Sequence, residues 1–213
     1  MEPRLTRAEY WLLESVVEYS MPFCVLAFEE IDEALNKPGH GLDRRSLLDV
    51  LDDLTHRGLI AAHDDQREGF APTREEIDAA LDEPTGGSDL PSTYYHLTPE
   101  GGRQWEAFAA PDWDAFIDVV YGTDVGDRWE EGSLICATKP LVERFLEGLQ
   151  HLGIHVQPDS PTWDVLEPWQ ATYWKQLPMG HRVRYQCRAM AKAPDPAAIP
   201  LGFLALGQWY RWR

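Results

Sequence analysis

The stretch Leu47–Ile60, LLDVLDDLTHRGLI, decides how the first half of this 213-residue chain is read. Leu47, Leu48, Leu51 and Leu54 recur at helical spacing and Gly58 follows as a stop, so the stretch predicts a helix opened by Asp43. It runs directly into a short strand over Leu59–Ala62. Upstream, Thr6 and Glu9 form a capping box that predicts a first helix reaching about Tyr19. Phe28, Ile31, Ala34 and Leu35 predict a second helix, stopped by Lys37-Pro38-Gly39. Downstream, Thr73 and Glu76 make another capping box, for a short helix that Pro84 and Gly86-Gly87 end. Tyr94–Leu97 has the composition of a strand, and Thr98-Pro99-Glu100 opens a further helix carrying Trp105 and Phe108.

The resulting order is three helices, two strands and a helix. LLDVLDDLTHRGLI is similar to the recognition-helix end of MarR-like and PadR-like regulators, and YYHLTPEGGRQWEAF (Tyr94–Phe108) resembles their second wing strand running into the next helix. The resemblance spans residues 5–110 and implies an N-terminal winged helix-turn-helix domain, residues 1–112. About 30 residues, Asp64–Thr93, stand between the wing strands where such domains have a tight hairpin. They form a long wing insertion.

Residues 113–213 predict a smaller α+β domain, which makes the whole chain α+β. Strands are expected at Ala115–Tyr121, Ser133–Ala137, Trp163–Leu166, His181–Arg188 and Leu201–Arg213. A helix capped by Thr138 carries Leu141, Phe145, Leu149 and Leu152 and ends at Gly153. The C-terminal stretch from residue 170 combines Lys175, Arg182, Arg184, Arg188, Lys192, Arg211 and Arg213 with Trp and Tyr, a basic aromatic tail. Core packing is the expected role for most of the tryptophans.

Charge narrows the function classes. The formal charge is −17, and residues 1–113 hold 24 acidic against 9 basic side chains. Such a surface repels polyanions, so nucleic acid and acidic lipid are disfavoured partners. Cys24, Cys136 and Cys187 show no CxxC spacing and predict neither disulfides nor a zinc site. With a Glu-rich amphipathic start and no run of 18 apolar residues, the sequence predicts a cytoplasmic protein without membrane contact.

The chain carries no HExxH, GxSxG, P-loop or GxGxxG motif, and His151 and His155 flank the helix-breaking Gly153. No catalytic residue, metal or cofactor is expected. Two functions remain. In the first, Glu29, Glu30, Asp32 and Glu33, with Glu75, Glu76 and Asp78 of the insertion, attract a basic protein, as an immunity or antitoxin-like inhibitor or an assembly factor would. In the second, a transcription regulator binds DNA as a homodimer, with Arg44 and Arg45 at base edges and Lys37 and His40 at phosphates. Pairing of the two arginines with Glu29, Glu30 or Asp49 would silence that second use, and Leu42–Gly58 has a net charge of −1. A third reading folds the basic tail back on the acidic domain.

Overall fold

The computed structural model describes residues 5–35, 37–84, 93–120, 128–190, 192 and 194–210. They form the mixed helix-and-sheet architecture expected of an α+β chain. Contacts divide the chain into one unit of Met1–Ala110 with Thr172–Lys175, and another of Pro111–Ala171 with Gln176–Arg213. The placement of residues 172–175 in the first unit is not foreshadowed by a boundary near residue 112.

In the first unit, α1 (Arg7–Glu14) starts at the expected capping box: Thr6 Oγ1 accepts from Glu9 N–H, and the Glu9 carboxylate accepts from Thr6 N–H at 2.6 Å. The helix stops at Glu14 rather than near Tyr19. Ser15 bonds back to Trp11 O at 2.7 Å, and the next carbonyls serve side chains: Tyr173 Oη–H donates to Val16 O and Trp174 Nε1–H to Val17 O. A strand β1 (Met21–Pro22) and a 3-10 turn (Phe23–Ala27) follow. The second helix is shorter than expected, because Phe28 is extended and α2 covers only Ile31–Leu35.

Helix α3 (Arg44–His56) is capped by Asp43, whose carboxylate accepts from Ser46 N–H at 2.7 Å. It buries Leu47, Leu48, Leu51 and Leu54, and Gly58 takes the left-handed conformation after it. Strands β2 (Ile60–His63) and β3 (Tyr94–Leu97) pair antiparallel, and β1 adds to β3, giving the order β1-β3-β2. The alternation across β2 and β3 buries Ile60, Ala62, Tyr95 and Leu97 and turns His63, Tyr94 and His96 to the other face.

The inserted segment is folded as far as residue 84. Phe70 pairs with Ala62 as a further β-bridge, and α4 (Arg74–Leu81) buries Ile77, Ala80 and Leu81 while packing on the 3-10 turn and α3. Gly86 and Gly87 lie outside the described residues. Helix α5 (Pro99–Ala109) is capped by Thr98 and buries Trp105. Its two glycines are packing requirements: a Cβ on Gly101 would strike the Leu59 carbonyl, and one on Gly102 the Trp174 indole.

The second unit is a sheet ordered β4 (Ile117–Val120), β5 (Glu130–Cys136), then, last in chain order, β10 (Gly180–Ala189), and β6 (Ile154–Val156). Strand β7 (Thr162–Leu166) also pairs with β10, and α6 (Lys139–Gly148) packs on β5 and β10. Strands β8 (Trp169–Gln170) and β9 (Gln176–Leu177) form a separate short pair. Two expectations fail: Thr138 makes no side-chain capping bond and α6 gives way after Gly148 to a 3-10 turn over Leu149–Leu152, and Leu201–Leu204 is a helix, α7, not a strand. Pro200 precedes its first residue, and Phe203 is buried against the backbone of Gly148. Trp209 is buried against Trp113 and Phe116, whereas Arg211, Trp212 and Arg213 lie outside the described residues. Trp11, Trp105, Trp169 and Trp209 are buried, while Trp129 and Trp163 are exposed. No described helix is long and apolar enough to cross a membrane.

Candidate functional site

The 3-10 turn delivers Phe28 and then the acidic segment Glu29-Glu30 to the start of α2, and the chain returns through Pro38 and Gly39 to α3. His40 braces this return. Leu42 N–H donates to its Nδ1 at 3.0 Å, so the remaining ring proton sits on Nε2 and is donated to Leu26 O at 2.9 Å. Trp11 packs edge-on against the same ring. Between the turn and residues 39–47 lies an open cleft of about 440 Å³, with Leu26, Phe28, Ile31, Leu42 and Leu47 as apolar lining and Glu29, Asp32 and Arg44 as its charged groups. Gly39 permits Asp32 to sit there, since a Cβ at that position would fall 2.6 Å from Asp32 Oδ1.

The structure sorts the seven predicted acidic residues. Glu29, Glu30, Asp32 and Glu33 are all exposed, and Glu29 and Asp32 line the cleft. None of these four, nor Glu75 on α4, forms an ion pair among the described residues. Glu76 is committed: it caps α4 and accepts from Arg67 at 2.8 Å, and the Thr73 backbone N–H and Arg67 hold its carboxyl below the usual range. Asp78 is committed as well. It faces Arg44, which donates to Asp78 at 2.6 Å and to Asp82 at 2.7 Å and also reaches the Asp78 carbonyl. Arg44 therefore joins the cleft to α4, and Glu75 and Glu76 stay outside the cleft lining.

The four residues predicted for DNA have different surroundings. Lys37 is nearly buried, bound to Glu14 at 2.5 Å and Ser15 Oγ at 2.6 Å, with its ammonium 4.0 Å from the Trp11 ring centroid. Burial pushes its amine below the usual range against the opposing pull of Glu14. His40 has both nitrogens engaged within the fold. Arg44 is held by the insertion, not by Glu29, Glu30 or Asp49; the partner of Asp49 is Arg74 at 2.7 Å. Arg45 is exposed. Beside it along α3 stand Asp49, Asp52, Asp53 and His56, so this face carries more carboxylates than cations.

One constellation was not legible in the sequence. His63 Nδ1 and His96 Nδ1 stand 3.3 Å apart on the outer face of β2 and β3. They border an open pocket of about 390 Å³ with Glu18, Tyr19, Glu68 and Tyr173. Burial, then His63, makes His96 harder to protonate than usual. Alternation within Tyr94–Leu97 places His96 outward, but only the pairing register sets His63 beside it.

The basic residues of the second half are largely engaged. Arg182 pairs with Asp164, Arg184 lies 3.6 Å from the same carboxylate, and Arg188 stacks over Trp129. In the first unit Lys175 binds Glu106 at 2.5 Å. The three thiols are buried, and burial pushes Cys136 up to about 11. Among the described residues no three histidine, cysteine or acidic side chains are grouped to hold a metal ion. No protein-family model, curated protein or solved structure matches the chain.

Proposed function

We propose that the first unit is a winged-helix module whose acidic surface binds a cationic protein, and that the chain acts by binding and not by catalysis. Its helix order and the antiparallel order β1-β3-β2, with α3 between β1 and β2, support the winged-helix reading. A winged-helix protein that reads DNA brings this third helix to the duplex and gains affinity by exchanging counterions for Lys and Arg. Here Arg44, though exposed, is paired with Asp78 and Asp82, and the remaining outward residues of α3 are mainly carboxylates. That clamp is the observation that carries the proposal.

Charge complementarity then favours a basic polypeptide, for which Glu29, Glu30, Asp32 and Glu33 are carboxylates without an internal cation among the described residues. An immunity or antitoxin-like inhibitor, or an assembly factor, fits this chemistry. Cross-linking mass spectrometry on the intact protein and a captured partner tests it, followed by stopped-flow association at rising salt. Cross-links at residues 29–33 are expected, and neutralising these four carboxylates should slow association about tenfold or more at low ionic strength. Cross-links confined to other surfaces, with an unchanged rate, would remove the assignment.

A further inference from the structure

Within the proposed protein-binding surface, on which this step rests, we infer that the cleft between the 3-10 turn and α3 is an anchor pocket for one arginine side chain of the partner. Three features converge. The lining is mixed, and its apolar part, Leu26, Phe28, Leu42 and Leu47, suits the methylene stem of a long cationic side chain. Glu29 and Asp32 stand in the cleft, and neither forms an ion pair among the described residues. In the same unit Asp49, Asp53, Asp64, Glu76, Asp78 and Asp82 are paired with arginine, whereas Glu30, Glu33 and Glu75 are as open as these two but lie outside the cleft lining.

Part of the wall is held by bonds within the fold. His40 is held by two backbone bonds, Leu42 N–H to its Nδ1 and its Nε2 to Leu26 O. Asp32 Oδ1 lies 2.6 Å from where a Cβ at position 39 would stand, and Lys37 N–H donates to the Asp32 carbonyl at 3.1 Å. Among the described lining residues the Lys or Arg is Arg44, and it pairs with Asp78 and Asp82. Arginine is favoured over lysine because two carboxylates three residues apart offer several acceptors to a planar five-donor fork.

The test uses the intact protein and three capped nonapeptides of Gly and Ser whose central residue is Arg, Lys or citrulline, titrated by amide and methyl NMR. The arginine peptide should give saturable shifts at Leu26, Leu42 and Leu47. The lysine peptide should bind about fivefold more weakly and the citrulline peptide should give no shift. Glu29→Gln/Asp32→Asn should lower arginine-peptide affinity about tenfold, whereas Glu30→Gln/Glu33→Gln, with the same change in net charge, should lower it less than about threefold. Equal losses in the two double variants would overturn the pocket and reduce it to a general field effect. Shifts located elsewhere, or no saturable shift, would also overturn it. A captured cationic protein that still cross-links to Glu30 and Glu33 in the Glu29→Gln/Asp32→Asn variant, with unchanged affinity, would sink the pocket and leave the wider protein-binding reading intact.

Discussion

Replacing Lys37 by methionine should damage the first unit far more than an exchange on its surface would. The ammonium lies 2.5 Å from Glu14, with side-chain exposures of 10% and 5%, and sits over the Trp11 ring. Removing Lys37 takes from buried Glu14 its ion-pair partner, and breaking a buried pair in this way costs about 3–5 kcal/mol. A domain of this size holds only about 5–15 kcal/mol in total, so Lys37→Met should consume a large part of it. At roughly 4 °C per kcal/mol the melting temperature of the unit should fall by about 12–20 °C. Because burial outweighs the attraction of Glu14 in setting the Lys37 amine below its usual range, the pair as a whole is a costly device. Lys37→Met/Glu14→Leu should therefore recover at least about 2 kcal/mol relative to the sum of the single changes. Hydrogen exchange in α1 under increasing urea reports the unit that holds the pair. A Lys37→Met variant within about 1 kcal/mol of the parent, or strict additivity in the double variant, would refute the reasoning.

Further outcomes follow from the same geometry. Gly101→Ala drives a methyl into the Leu59 carbonyl and should cost about 1–3 kcal/mol, read as a lower urea midpoint; an unchanged midpoint would mean that α5 can shift freely. Asp64 and Glu76 both have carboxyls held below their usual range, Asp64 by Arg67 and Glu76 by the Thr73 backbone N–H and then Arg67. Their contribution is present above the unfolded values near 4 and lost as pH falls through the lower folded values, so Arg67→Gln should flatten the acid limb of a stability–pH curve. His96 has linkage of the same sign from a different cause: burial and then His63 lower its folded value below the usual 6.5, so the folded state resists protonation and stability should drop as pH falls below that point. His96→Gln should remove that slope, and NMR titration of the ring carbons of His96 should show the lowered midpoint directly.

The parts of the fold that were legible in the sequence are those decided within a few residues. Thr6 with Glu9, Thr73 with Glu76, Asp43 and Thr98-Pro99 each settle a helix start by a local bond, and each start lies where its residues predict. Helix ends and small strands depend on distant partners. The exit of α1 at Glu14 is accompanied by bonds from Tyr173 and Trp174, more than 150 residues away, and β1 is two residues long. Leu201–Leu204 misleads because its apolar spacing satisfies a strand as well as a short helix, and burial of Phe203 at Gly148 is a tertiary matter.

The candidate site divides in the same way. Carboxylates 29–33 are visible as a local run, but which of them face a cleft depends on the return of the chain through Gly39 and His40. The fate of Arg44 was hidden for a similar reason, since its partners Asp78 and Asp82 stand 34 and 38 residues away in the inserted segment. Lys37 reads as a surface cation in sequence, and only packing against Trp11 and Glu14 makes it internal.

The most direct test of a winged-helix module adapted to proteins is selection of a randomised duplex DNA pool by the intact chain at about 0.15 M salt, with affinities of recovered duplexes measured by fluorescence anisotropy. The account predicts no enriched sequence and no dissociation constant tighter than about 10 μM. An enriched motif bound below about 1 μM, with a steep salt dependence, would contradict it.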